Sequence, residues 1–92
     1  MKKSQINLRD FRMFTDSEHN NVEIQDKRKY LAESIYNAHE DLVGHNLAMK
    51  MYNSEMLVEM NEEETELLLN HVKTLPQLFQ DSLTENLVLY ND

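Results

Sequence analysis

The longest regular pattern of apolar positions in this chain runs from Leu31 to Met56. Alternating steps of four and three residues connect side chains that share one face of a helix. These are Leu31, Ile35, Ala38, Leu42, His45, Met49, Tyr52 and Met56. The pattern keeps its phase across Gly44, which either ends a helix or is tolerated inside one. It therefore predicts one long helix within residues 25–58, or two nearly collinear helices that meet at Gly44.

Two shorter helices are predicted in the C-terminal third of the chain. Asn61 and Glu64 have the spacing of a capping box and precede an apolar run, so we expect a helix from about 62 to 73. Pro76 is suited to the first turn of another helix, from about 76 to 90. The short connection between them predicts a C-terminal helix pair, residues 61–90, packed against the long helix.

Residues 1–23 show no clear period, so a short helix, a strand and a docking arm all remain open for this N-terminal arm. Phe11, Met13 and Phe14 are too apolar to leave in water, and we expect them to pack on the helical body or on a partner. A single glycine and a single proline favour helices over hairpins. We therefore expect one domain, residues 1–92, that is all-α: a small helical bundle with one long central helix.

Composition narrows the class of protein further. The chain contains no cysteine, and no apolar run approaches the roughly 20 residues that a membrane span requires. The polar start of the chain does not resemble a signal sequence. We expect a cytoplasmic protein with no membrane partner.

The acidic residues are concentrated in the second part of the chain. Residues 1–30 carry seven Lys/Arg and five Asp/Glu, whereas residues 31–92 carry two and twelve. Such a surface repels nucleic-acid phosphates and attracts basic proteins. If the segment around residues 56–60 formed a DNA-reading strand, one alternating set of side chains would be Glu55, Leu57 and Glu59, which phosphates would repel. Direct binding to nucleic acid is therefore not expected.

The densest acidic cluster is the candidate partner-binding site. It comprises Glu59, Glu62, Glu63, Glu64 and Glu66. The charge spacing along the predicted helix, one per roughly 2.4 Å, approaches the ~1.7 Å of duplex DNA, so an acidic DNA mimic is one interpretation. The other interpretation is plainer: acidic residues in a first helical turn stabilise the helix dipole and keep the surface solvated.

No catalytic, metal or cofactor motif emerges from the residue spacings. Asp41 and His45 are four residues apart, but two ligands at helical spacing are common by accident, so no metal site is predicted. His45 lies on the apolar pattern and is a candidate pH-sensitive core residue, since charging a buried imidazole costs stability. The alternative is a neutral, hydrogen-bonded histidine at the core or its boundary.

The predicted function is therefore protein–protein interaction, and no enzyme activity is expected. We expect a small regulator, inhibitor or adaptor that occupies a basic or nucleic-acid-binding partner, as accessory proteins of phages and mobile elements do. One alternative is a metal-dependent, all-α nucleotide hydrolase or a subunit of one, using Glu62, Glu63 and Glu66. The other is a purely structural homo-oligomer, and a homodimer is left open in either case.

Overall fold

The computed structural model describes the backbone of residues 2–91 and the side chains of residues 3–90. Helices and strands are interleaved along the chain. In order they are β1 (Lys2–Asn7), β2 (Phe11–Phe14), β3 (Val22–Gln25), α1 (Arg28–Ala38), α2 (Leu42–Tyr52), β4 (Leu57–Met60), α3 (Glu62–Val72), α4 (Gln77–Asn86) and β5 (Leu87–Asn91). The predicted all-α helical bundle is therefore wrong, and the fold is a mixed α/β fold.

Two antiparallel sheets replace the N-terminal arm and the end of the last predicted helix. The larger sheet has the strand order β4-β1-β5, and the smaller one pairs β2 with β3. In the larger sheet Ile6 is opposite Val58 on one side and Leu87 on the other. β1 alternates fully buried Ser4 and Ile6 with half-buried residues, as expected for a strand with one face on the core, and fully buried Leu8 follows directly after the strand.

The predicted long central helix is also absent, because the helical conformation is interrupted before Gly44 rather than at Gly44. α1 ends at Ala38, and Asp41 begins α2 as the N-cap, accepting a hydrogen bond from the Gly44 N–H at 3.2 Å. α1 and α2 then pack against each other instead of continuing in line. The break resets the helical phase, so α2 buries Leu47, Ala48 and Met51 and leaves Leu42 73% exposed.

The predicted start of the C-terminal helix pair is confirmed. The Asn61 side chain accepts a hydrogen bond from the Glu64 N–H at 2.9 Å, and the Glu64 carboxylate accepts one from the Asn61 N–H at 3.0 Å. α4 is shorter than predicted, because the run Leu87-Val88-Leu89-Tyr90 forms a strand. Aliphatic and aromatic side chains of this kind suit a pleated surface, and here they pair with β1.

One apolar core joins the helices to the sheets. Its fully buried large side chains include Ile6, Leu8, Phe11, Leu31, Ile35, Leu47, Met51, Val58, Leu68 and Leu83. α4 also closes the outer edge of β2: the Asn86 amide accepts from the Arg12 N–H at 3.1 Å and donates to the Arg12 carbonyl at 2.9 Å. Within the described residues, none of the helices combines the length and the apolar character needed to cross a bilayer.

Candidate functional site

The packing of α1 on α2 leaves an apolar groove open on the surface. Its floor is formed by Ala32 and Ala48, which are 3% and 2% exposed, where the two helices meet. Its apolar walls are Tyr36, Met49 and Tyr52, whose exposures are 51%, 51% and 52%, and Glu33 and Asn37 complete the lining. The cavity volume is about 110 Å³. We call the two floor residues and the three apolar wall residues the α1–α2 face.

The α1–α2 face follows from residue size. Alanines on the facing sides of two helices allow close approach, and larger neighbours then flank the contact as walls. Tyr36 is held in place by His45, whose ring stacks on it with centroids 4.6 Å apart and planes 18° apart. His45 is thus half-buried at the surface against a tyrosine rather than in the core. The proposal that it responds to pH stays a prediction.

A second, polar cavity adjoins the α1–α2 face at Tyr52. It is lined by Tyr52, Asp26, Arg28 and Lys29, and its volume is about 460 Å³. Arg28 donates to Asp26 at 2.6 Å and to the Ser54 carbonyl at 2.7 Å. The hydrogen bonds from Arg28 lower the pKa of Asp26, and the reciprocal hydrogen bond raises the pKa of Arg28. The arginine therefore ties the start of α1 to the segment that follows α2.

The structure divides the acidic cluster into inward and outward members. The Glu64 side chain is 8% exposed and accepts a hydrogen bond from the Lys50 ammonium at 2.8 Å, in addition to its bond in the capping box. Glu59, Glu63 and Glu66 are exposed, and Glu62 is half-buried. Glu64 is therefore engaged inside the protein, and the outward charge of the cluster comes from the other four carboxylates.

The hydrolase alternative loses its structural premise, because the fold is not all-α. Among the residues that the structure describes, no three His, Cys, Asp or Glu side chains are grouped as a set of metal ligands. The use of Glu62, Glu63 and Glu66 by a metal-dependent enzyme stays a prediction.

A cluster of three polar side chains connects α1 to α3. His71 is 5% exposed; its Nε2 lies 2.8 Å from Ser34 Oγ, and its Nδ1 lies 3.3 Å from His39 Nε2. Burial, and secondarily the charge of His39, lower the pKa of His71. The sequence does not indicate this cluster, because His71 is 32 residues from His39 and only the packing of α3 brings them together.

Comparisons of the chain with protein-family models, with curated proteins and with solved structures find no match to any of them.

Proposed function

We propose that this protein is a small acidic interaction module that forms a homodimer through the α1–α2 face and presents its outward carboxylates to a basic partner protein. The observation that carries the proposal is an exposed groove with tyrosine and methionine walls, in a segment without net charge. Tyrosine and methionine are enriched at protein interfaces, whereas charged residues are depleted at interface cores.

The distribution of charge favours a second copy of this chain as the occupant of the groove. Residues 28–52, which form α1, α2 and their connection, contain three basic and three acidic residues, so they have no net formal charge. The whole chain carries a formal charge of -8, all of it outside this segment. Two such molecules repel each other at most approaches, and the helical segment is where they meet with the least repulsion.

The shape of the α1–α2 face supports the same occupant. Met49 lines a groove of about 110 Å³, which is smaller than the about 150 Å³ of a cavity that holds a benzene molecule, so the groove can take only part of one methionine side chain. A two-fold axis through the α1–α2 face lets the Met49 side chain of each copy enter the groove of the other. This is the self-complementarity that a symmetric dimer interface requires.

Size-exclusion chromatography with light scattering, on the full chain, tests the dimer. We expect Met49→Glu to weaken dimerisation at least tenfold, because the new carboxylate would be buried without a partner. Val88→Glu is the matched control: Val88 is equally exposed, 51%, but lies on the sheet outside the α1–α2 face. A monomeric parent protein, or equal weakening by both substitutions, would contradict the proposal. Circular dichroism shows whether each variant is folded.

The outward carboxylates support the second part of the proposal, that the protein acts as a regulator or inhibitor by occupying a basic partner. Glu63 and Glu66 are three residues apart on α3, hence on neighbouring positions of one helix face, and both are exposed. Mimicry of DNA is the sharpest form of this proposal. A cytoplasmic location agrees with it, because the chain has no cysteine.

Competition binding tests the mimicry with defined components. A panel of purified basic DNA-binding proteins, each bound to labelled duplex DNA, is titrated with this protein. Displacement of DNA that is lost in the double variant Glu63→Gln, Glu66→Gln supports the mimicry. The mimicry is contradicted if the protein displaces DNA from none of the panel members, or if the double variant displaces it equally well. Neither result affects the dimer proposal.

A further inference from the structure

We propose that His39 and His71 form a two-histidine site for a zinc ion at the junction of α1 and α3. This site is separate from the α1–α2 face and does not depend on the dimer. The proposal is carried by the arrangement of the two rings and by the hydrogen bond that orients one of them.

The distances between the two rings suit a shared tetrahedral ion. Two nitrogens that each lie about 2.05 Å from such an ion are about 3.3 Å apart, and their ring centres are then about 5 Å apart. In this protein, His39 Nε2 and His71 Nδ1 are 3.3 Å apart, and the ring centroids are 5.2 Å apart. The interplanar angle of 61° keeps the rings from stacking on each other.

Ser34 supplies the hydrogen bond that a metal-bound histidine usually makes through its second nitrogen. His71 Nε2 lies 2.8 Å from Ser34 Oγ. When Nε2 carries the proton and donates to the serine, the lone pair of Nδ1 is directed toward His39. Such outer hydrogen bonds fix the tautomer and the ring orientation of histidine ligands.

The chemistry of the pair also suits zinc. Metal binding requires neutral imidazole, and burial lowers the pKa of His71, which favours the neutral ring. His39 is half-buried at the end of α1, which gives an ion access from solvent. Among the described side chains, no third His, Cys, Asp or Glu joins the pair. Water or a group from another molecule therefore completes the coordination, and the site is an open one.

Isothermal titration of the chelator-treated full chain with zinc chloride at pH 7 tests the proposal. We expect one zinc ion per chain, and we expect His39→Ala to weaken the affinity at least tenfold. His45→Ala is the matched control, because His45 is also half-buried but stacks on Tyr36. No zinc binding at millimolar concentration, or equal affinity in the parent and His39→Ala, would overturn the proposal.

Imidazole resonances in NMR spectra provide a readout that does not depend on substituting buried His71. The chain has four histidines, so a site at the pair predicts zinc-induced shifts at His39 and His71 and none at His19 or His45. We expect Ser34→Ala to keep these shifts but to weaken zinc binding about tenfold, as loss of an outer hydrogen bond does. Shifts spread over all four rings would show non-specific binding and would overturn the proposal.

Discussion

Glu64 carries its charge on a side chain that is 8% exposed, and it has partners on two sides. Its carboxylate accepts hydrogen bonds from the Asn61 N–H and from the Lys50 ammonium, while its own N–H bonds to the Asn61 side chain. Lys50 also donates to the Glu59 carbonyl at 3.1 Å. These bonds connect α2, the end of β4 and the start of α3, so the carboxylate contributes to stability through three elements.

Replacing Glu64 should therefore destabilise the fold, whereas replacing its neighbour Glu63 should not. We expect Glu64→Ala to lower the free energy of unfolding by about 1–3 kcal/mol, since hydrogen bonds to a charged group are lost and Lys50 keeps only the Glu59 carbonyl as a partner. Glu63→Ala removes an exposed carboxylate and should change stability by less than about 0.5 kcal/mol. Urea denaturation of both variants measures the difference. Equal effects would show that burial does not distinguish the two glutamates.

The lowered pKa of Asp26 predicts how the stability of the fold changes at acid pH. The hydrogen bonds from Arg28 lower the pKa of Asp26 below its ordinary value of 3.8. The unfolded chain therefore binds the proton at higher pH than the folded chain does. The stabilisation by this carboxylate is complete above pH 3.8 and is lost as the pH falls through the lowered pKa.

We expect Asp26→Asn to flatten the decline of the unfolding midpoint below pH 4, measured by thermal denaturation from pH 7 to pH 2. The effect should be small, because Asp26 is exposed to solvent. Arg28→Met removes the largest cause of the shift but keeps the backbone N–H of residue 28, which also donates to Asp26, so adding Asp26→Asn to that variant should have a smaller effect than in the parent. An unchanged acid profile for Asp26→Asn in the parent background would contradict the prediction.

At the scale of the elements, Gly44 is required by the close approach of the α1 end to the start of α2. A Cβ at this position would lie 2.5 Å from His39 Cβ and 2.8 Å from Asp41 Oδ1. Helix propensity alone predicts that replacing Gly44 by alanine raises the free energy of unfolding by about 1 kcal/mol. We expect packing to dominate, because the His39 Cβ is fixed to the backbone and cannot move aside as a flexible side-chain end does.

Gly44→Ala should consequently lower the free energy of unfolding by about 1–3 kcal/mol, measured by urea denaturation. Asn46→Ala is the matched control on the same helix: Asn46 is exposed, so propensity should act alone and the variant should be unchanged or slightly more stable. A more stable Gly44→Ala variant would show that the α1–α2 connection adjusts freely.

The elements differ in how far the sequence predicts them. Asn61 and Glu64 predict the start of α3, because a capping box is local and its hydrogen bonds form within four residues. The sequence does not predict β1, β4 and β5, because β1 pairs with segments fifty or more residues away, and helices lie between these strands along the chain. Such strands need no hairpin turn, so the scarcity of glycine and proline carried no information about them.

The sequence does not predict the α1–α2 face, for a related reason. The apolar pattern keeps Met49 and Tyr52 in phase with Leu31 and Ile35, which predicts that all four lie on one face of a helix. Once the chain turns at His39–Asp41, α2 uses a different face for the core, and Met49 and Tyr52 point outward. The period of apolar residues identifies the apolar face of a single helix. It does not show whether the next helix packs the corresponding face on the core.

For the molecule as a whole, the charge of -8 and the neutral α1–α2 segment have opposite consequences for two kinds of association. A homodimer through the neutral segment brings two acidic molecules together, so repulsion outside the interface opposes it. Binding of a basic partner to the outward carboxylates is instead driven by attraction. Salt screens both interactions, since the Debye length falls to about 10 Å at 0.1 M salt and about 3 Å at 1 M.

Raising sodium chloride from 0.05 to 0.5 M should therefore strengthen the homodimer and weaken any complex with a basic protein. Analytical ultracentrifugation of the parent chain measures the first effect, and Met49→Glu should remain more dissociated than the parent at each salt concentration. If salt instead dissociates the homodimer, ion pairs hold the two copies together, and an interface centred on Met49 and Tyr36 is wrong. Opposite salt responses of dimer and complex would show that one small chain uses an apolar surface for itself and a charged one for its partner.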